Sequence, residues 1–113
     1  MQKITINVQE PYHSLILNGK KTAEGRLNKG KFGSIGVGDV LIMEPEQIEF
    51  KVIGKNIYKT FREMIVSEGI ENVVPDKNST DDAVNVYYKF YTKEQEKEFG
   101  VVAIIIKKLV ILT

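Results

Sequence analysis

Residues 101–106 read "VVAIII", six apolar residues in succession with no polar residue between them. A strand with one face in water alternates apolar and polar side chains, whereas a strand covered on both faces is apolar throughout. The segment is therefore predicted to be a buried strand at the centre of a sheet. It belongs to the last stretch of the chain, residues 100–113, which reads "GVVAIIIKKLVILT".

Four other segments have the pattern of strands. Residues 3–8, "KITINV", alternate in the manner of a half-buried strand, and residues 22–27 form an extended segment after a helix end. Residues 38–44, "GDVLIME", and residues 47–58, "QIEFKVIGKNIY", predict a hairpin that turns around Pro45.

Short helices are predicted from capping residues and apolar spacing. The predicted starts and ends are Pro11 and Gly19 for the first helix, Thr60 and Gly69 for the second, Ser79 or Thr80 as the start of the third, and Thr92 with Gln95 as the start of a further short one. The glycine-rich residues 25–38 predict a flexible or tightly turning loop, and residues 73–82, "VVPDKNSTDD", predict a polar connection.

The order of these elements is typical of a small curled sheet or barrel with helices around it. A chain of 113 residues with 42% hydrophobic residues can build one core without metals or disulfides. We therefore expect a single α+β domain over residues 1–113, a small mixed β-barrel with two to four short helices.

The residue composition limits the kinds of reactive and metal-binding site that the chain can build. Cysteine is absent and His13 is the single histidine, which excludes a disulfide framework, a thiolate nucleophile and a cysteine-based zinc site. We expect no cofactor and no metal, and we expect His13 to face solvent.

The start of the chain, "MQKITINVQE", lacks the apolar run of a signal peptide, and no segment reaches the roughly 18 apolar residues of a membrane helix. The expectation is a cytoplasmic monomer with no membrane partner.

The basic residues form a patch. Net charge is +1, yet residues 18–31, "NGKKTAEGRLNKGK", hold five of the 16 basic residues and one of the 15 acidic ones, a local charge of +4. The patch consists of Lys20, Lys21, Arg26, Lys29 and Lys31. Within it, "GRLNKGKF" matches a phosphate-loop pattern, but Phe32 stands where that loop needs a magnesium-binding Ser or Thr.

The stretch "GKKTAEGR", residues 19–26, concentrates the polar groups of this patch. If it continues as a strand, the period of two puts Thr22, Glu24 and Arg26 on one face, and Lys21 can reach the same side. This pattern predicts the polar wall of a pocket for a nucleotide base. The alternative is an ordinary surface ion pair between Glu24 and Arg26, with the lysines solvated.

Each side chain of this wall has a binding role open to it. As a cation, Lys21 can hold a phosphate or pair with Glu24. To act as a base or nucleophile, it needs a water-free pocket that lowers its pKa from about 10.4. Glu24 can accept a hydrogen bond from the exocyclic amine of cytosine. Arg26 can stack on a base or hold a phosphate with two donors.

Aromatic residues cluster near the end of the third predicted helix. Single-stranded RNA is bound by stacking on such rings. Tyr87 and Tyr91 follow the helical spacing of a core stripe, which leaves Tyr88 or Phe90 as the ring expected to be free.

The pattern Gly19-x-Lys21-x-x-Glu24-x-Arg26 resembles the signature G-x-K-x-x-E-x-R of the ASCH domain family, a branch of the PUA-like superfamily. The surroundings are similar too, including "VGDVL" at residues 37–41 and "YYKFYTKEQEKEFGVVAIII" at residues 87–106. The resemblance covers nearly the whole chain. It implies a PUA-like barrel with a cleft beside the signature.

The resemblance also implies that the partner is RNA or a modified nucleoside, held in a base-sized cleft lined by Lys21, Glu24 and Arg26. The expected ligand-binding residues are Gly19, Lys20, Lys21, Glu24, Arg26, Lys29, Lys31 and Tyr88. We therefore expect an RNA- or nucleotide-binding protein.

Two enzymatic alternatives stay open. Some small relatives are acetylcytidine amidohydrolases that use a lysine, a threonine and a glutamate. Lys21 matches the lysine, Glu24 stands in place of the threonine, and Glu68 is the candidate for the glutamate, with Glu71 as a second choice. A small amidohydrolase acting on acylated nucleosides with Lys21, Glu24 and Glu68 is one alternative, and a ribonuclease acting on single-stranded RNA is the other.

Overall fold

A computed structural model describes residues 1–110, which form a mixed α+β fold of five strands and six helices. The strands are β1 (Lys3–Ile6), β2 (Ala23–Leu27), β3 (Val40–Met43), β4 (Ile48–Tyr58) and β5 (Val101–Lys108). The helices are α1 (Tyr12–Leu17), α2 (Gly30–Ser34), α3 (Phe61–Glu68), α4 (Ile70–Val73), α5 (Thr80–Tyr88) and α6 (Lys93–Phe99). The last three residues of the chain, 111–113, lie outside the described residues.

The five strands form one curled sheet in the order β1-β3-β4-β5-β2. β1 and β3 are parallel, and the other neighbouring strands are antiparallel. β1 and β2 are the two edges, and no backbone ladder joins them in the described part of the chain. The predicted barrel is therefore confirmed only as a half-barrel with an open side.

The central position of β5 confirms the prediction from its uninterrupted apolar sequence. It lies between β4 and β2, and its two faces contribute to two different cores. Val101 and Ala103 pack against the helices α3 and α5 on the outer face. Val102 and Ile104 face the inside of the half-barrel with Ile16 of α1. Burial on both faces explains why β5 carries no polar residue before Lys107.

Local capping chemistry sets the ends of the longer helices as predicted. Thr60 accepts a hydrogen bond from the backbone of Glu63, and Ser79, rather than Thr80, caps α5. Thr92 and Gln95 form the predicted capping box. The hairpin between β3 and β4 also forms where the sequence predicted it.

Six helices form where two to four were predicted. α2 lies within the expected loop at residues 25–38, and α4 begins directly after Gly69 and ends at the start of the expected polar connection. These helices have five and four residues, so neither shows a repeated apolar face that a sequence pattern could detect. The burial of Val73 holds α4 against the core.

His13 is buried, so the expectation that it faces solvent is wrong. Its Nε2 atom lies 2.9 Å from Oε1 and 3.0 Å from Oε2 of Glu46, in the turn of the β3–β4 hairpin. The turn covers the face of α1 that helical spacing left polar.

None of the helices within residues 1–110 has both the length and the apolar character that a membrane crossing requires.

Candidate functional site

The candidate site lies in the gap between β1 and β2, the two edges of the half-barrel. Gln2 and Ile6 accept hydrogen bonds from backbone N–H groups at the ends of β3, so Thr5 and Asn7 turn their carbonyl groups away from β3 and toward the gap. Thr22, just before β2, accepts from the backbone N–H of Ile106, and Asn28, just after β2, donates its backbone N–H to the carbonyl of Gly100. By alternation, Gly25 in the middle of β2 turns its backbone N–H and C=O toward the gap.

Two cationic side chains bridge this gap. Arg26 Nη2 donates to the carbonyl of Asn7 at 2.8 Å, and Lys31 Nζ donates to the carbonyl of Thr5 at 2.6 Å. Both cations also lie over the ring of Phe32, with Arg26 Cζ 4.5 Å from the ring centroid. Arg26, on β2, therefore ties the two edges together directly, and Lys31 ties β1 to α2, the helix that follows β2.

A cavity of about 220 Å³ occupies the gap beyond Arg26. Its polar wall contains Lys21, Glu24 and Arg26, whereas Thr22, which the period of two placed on the same face, is not among the lining residues. Its other walls are mainly apolar and aromatic. The lining residues are Asn7, Val8, Gln9, Tyr12, Lys21, Glu24, Gly25, Arg26, Val73, Val74, Val86, Tyr87, Phe90 and Tyr91.

Lys21 is buried in the polar wall, with 3% of its surface exposed. Its Nζ donates to the carbonyls of Ala23, at 2.6 Å, and of Val73, and lies 3.5 Å from Oε1 of Glu24. Burial lowers the pKa of Lys21, and the nearby Glu24 carboxylate opposes that shift. Three acceptors around one nitrogen match the three N–H groups of an ammonium ion.

Glu24 is also buried, at 5% exposure, and it joins the two cations. Its Oε1 accepts from the backbone of Gly25 at 3.1 Å and faces Lys21. Its Oε2 accepts from Arg26 Nη2 at 3.1 Å and Nε at 3.4 Å. The alternative of an ordinary surface ion pair is therefore inconsistent with the structure, because the pair is buried and shared with Lys21.

Gly25 has no room for a side chain. A Cβ atom at this position would lie 2.6 Å from Cε of Met64 and 2.9 Å from the hydroxyl oxygen of Tyr87. Glycine therefore lets two side chains of the helical layer, rather than a ligand, approach the strand on that face. The backbone of Gly25 still borders the cavity.

Three tyrosines give the cavity neutral hydroxyl groups. Burial raises the pKa of Tyr87 well above its usual value, and it also raises the pKa values of Tyr91 and Tyr12. All three hydroxyls therefore stay protonated at neutral pH. Tyr12 donates to the carboxylate of Asp76 at 3.4 Å.

Among the cavity's aromatic residues, Phe90 is the exposed one. Tyr87 and Tyr91 are both stacked on Phe61, with ring centroids 4.6 Å and 5.5 Å from it. One face of each tyrosine ring is thus already covered. Phe90 is 50% exposed and lines the cavity. Of the two rings that the sequence offered for stacking, Tyr88 and Phe90, it is therefore Phe90 that is available at the cavity.

Several predicted ligand-binding residues lie outside the cavity. Lys20 and Lys29 are exposed, and the ammonium of Lys29 lies over the ring of Phe99. Tyr88 donates to Glu96 at 2.7 Å. Gly19 borders a second cavity, of about 400 Å³, which Lys21 and Thr22 also border.

The predicted third catalytic residue is not beside Lys21. Glu68 accepts hydrogen bonds from the hydroxyl of Tyr58 and from Asn56, at the junction of α3 and β4, and does not line the cavity. Glu71 is exposed on α4. The structure thus brings Lys21 and Glu24 together and leaves Glu68 elsewhere.

Sequence patterns did not predict the rest of the lining. Asn7, Val8 and Gln9 follow β1 and reach the site only because the sheet curls. Val73 and Val74 began the segment expected to be a polar connection, and this apolar pair in a polar run was the one signal for a buried contact. Tyr87 and Tyr91 were assigned to the core, and they serve both core and cavity.

Comparisons with known proteins agree with this fold. The ASCH domain family model matches residues 6–110. The crystal structure of hypothetical protein PH0355 has a TM-score of 0.91 and 44% identity, over 96% of this chain and 100% of that chain. The solution structure of protein PF0455 from Pyrococcus furiosus has a TM-score of 0.81 and 40% identity, over 96% and 98%.

A more distant match shows the fold alone. The crystal structure of an ASCH domain from Lactobacillus crispatus JV V101 has a TM-score of 0.57 and 16% identity, over 95% of this chain and 79% of that chain. No curated protein matches the chain.

Proposed function

This chain belongs to the ASCH domain family, and we propose that it binds single-stranded RNA or a nucleotide by holding one base in the cavity beside β2. The proposal is supported by one observation above all. Lys21, Glu24 and Arg26 converge on one concave surface, with aromatic and apolar walls around them. Such a combination of an apolar pocket and a few convergent polar groups is typical of small-ligand sites.

The size of the cavity supports a single base rather than a whole nucleotide. Pockets for drug-sized ligands have volumes of about 300–1,000 Å³. At about 220 Å³, this cavity has room for a ring system, and the attached sugar and phosphate stay at its mouth. Lys31 and Arg26 bridge the gap next to the cavity, so they provide positive charge close to that phosphate.

The geometry favours binding over amide hydrolysis. A lysine acting as a base or nucleophile needs a neutral amine with a free lone pair. Burial favours the neutral form of Lys21, but its nitrogen is surrounded by two carbonyls and a carboxylate, and each of them requires a donated hydrogen. We therefore propose that Lys21 stays an ammonium ion that organises the pocket, a role that needs no third catalytic residue.

Binding to a short single-stranded oligouridylate tests this proposal. We expect measurable affinity at low salt, and log K that falls linearly with log salt by about 0.7 for each phosphate contacted. Fluorescence anisotropy with a labelled oligonucleotide at several salt concentrations measures both quantities. Undetectable binding of RNA and of nucleosides at low salt would contradict the proposal.

Phe90→Ala is expected to weaken RNA binding by about 1–3 kcal/mol, about 5- to 150-fold, because stacking of a base on its exposed ring is lost. Ile57→Ala is a matched control, since Ile57 is also an exposed apolar residue, at 55% exposure, and does not line the cavity. The same anisotropy titration compares the two variants with the wild type. Equal affinities of all three proteins would exclude stacking on Phe90.

A further inference from the structure

The hydrogen-bonding groups of the cavity indicate which edge of a base it takes, an inference that rests on the function proposed above. A carboxylate has about four acceptor positions. Those of Glu24 already face four donors, namely Gly25 N–H, Lys21 Nζ, and Nε and Nη2 of Arg26. An amino group of a base could reach Glu24 only by displacing one of them.

Arg26 still has donors to offer. A guanidinium carries five N–H groups, and those on Nε and Nη2 point to Glu24 and Asn7. Neither Glu24 nor Asn7 uses the two N–H groups on Nη1, and if the Tyr91 hydroxyl beside the Arg26 side chain accepts one of them, the second is left. Arg26 lines the cavity, and Phe32, Glu24 and Asn7 hold its guanidinium plane, so the remaining N–H on Nη1 is the donor that Arg26 can offer to a ligand.

An acceptor lies next to this donor on the same strand. Gly25 turns its carbonyl group toward the gap, where no strand within residues 1–110 pairs with it. The cavity therefore combines a charged donor with a backbone acceptor, and its one carboxylate is occupied.

We infer that the cavity selects bases with a lactam edge, in which a ring N–H stands beside a carbonyl oxygen, as in uracil, guanine and hypoxanthine. The carbonyl oxygen of the base accepts from Nη1 of Arg26, and its ring N–H donates to the carbonyl of Gly25. Arginine commonly pairs with the carbonyl oxygen of guanine, whereas the amino group of cytosine is matched by a carboxylate. Glu24 cannot provide that match while it holds Arg26 and Lys21.

Two pairs of nucleosides that differ at this edge test the inference. Calorimetric or NMR titrations of the wild-type protein compare uridine with cytidine, and inosine with adenosine. We expect the lactam member of each pair to bind about tenfold more tightly. Arg26→Lys keeps the charge but loses the planar donors, so it is expected to bring both ratios close to one while circular dichroism shows a folded protein.

Each outcome separates the inference from the proposed function. The lactam preference is overturned if cytidine binds as tightly as uridine, or more tightly, and adenosine as tightly as inosine, or more tightly. It is also overturned if the protein has equal affinity for oligouridylate and oligocytidylate. In both cases the proposal of RNA binding still stands. An undiminished ratio in a folded Arg26→Lys variant removes Arg26 as the selecting residue. No binding of any nucleoside or RNA overturns both. The wild-type ratios need no variant, so misfolding of Arg26→Lys does not affect them.

Discussion

Glu24→Gln is expected to lower the free energy of unfolding by about 3–5 kcal/mol, because removal of one partner from a buried ion pair leaves the other charge uncompensated. Lys21 is 3% exposed, and Glu24 is the carboxylate 3.5 Å from its Nζ. The loss is a large share of the roughly 5–15 kcal/mol that stabilises a typical domain. Urea unfolding followed by circular dichroism measures it.

Glu49→Gln is the matched control for this prediction. Glu49 forms an ion pair with Lys3 at 3.2 Å, but both side chains are at least 40% exposed, so the expected change is within about 1 kcal/mol. The double variant Lys21→Met with Glu24→Gln is expected to recover part of the loss, since the uncompensated ammonium is gone. If Glu24→Gln were as mild as Glu49→Gln, the buried network would not stabilise the fold.

The stability of the Glu24→Gln variant is also expected to depend on pH. Burial already lowers the pKa of Lys21 in the folded protein, and loss of the opposing carboxylate lowers it further. A lysine with a lowered folded-state pKa binds fewer protons in the folded than in the unfolded state, so stability rises with pH up to the ordinary lysine value of about 10.4. Unfolding curves at pH 7 and pH 9 are expected to differ more for the variant than for the wild type.

Gly25→Ala is expected to destabilise the protein by about 1–3 kcal/mol, because the added methyl group overpacks a filled site. Its Cβ would lie 2.6 Å from Met64 Cε, 2.7 Å from Met64 Sδ and 2.9 Å from the Tyr87 hydroxyl. Met64 is fully buried, and Tyr87 is held by its stacking on Phe61, so neither side chain can move away freely. We also expect weaker RNA binding, because Tyr87 and the β2 backbone both line the cavity.

Gly36→Ala provides the comparison. Within the described part of the chain, a Cβ at Gly36 meets no atom within 4 Å, and this glycine does not have a positive φ angle. Its substitution is expected to change stability by no more than about 0.5 kcal/mol and to leave RNA binding unchanged. Thermal or urea unfolding of the two variants side by side distinguishes overpacking at Gly25 from a general effect of replacing glycine. Equal stabilities would show that the contact at Gly25 relaxes without cost.

The local elements follow closely from the sequence. The apolar run at residues 101–106 predicted the central strand, and Thr60, Ser79 and the pair Thr92 and Gln95 predicted three helix starts. These signals come from residues close together in the chain, because caps act within one turn and strand periodicity acts over two residues. α2 and α4 were not predicted, because helices of five and four residues are too short to show a repeating pattern of apolar residues.

The sequence by itself placed Lys21, Glu24 and Arg26 on or beside a single strand, and it left open whether they line a pocket or form a surface ion pair with solvated lysines. Only the tertiary structure decided what surrounds them. Lys21 donates to Val73, 52 residues away, and Arg26 donates to Asn7, 19 residues away across an open sheet edge. Such contacts depend on strand order and on the curl of the sheet, which are set by long-range pairing and burial rather than by local preference. The same cause buries His13 against Glu46, and it leaves Phe90 rather than Tyr88 at the cavity.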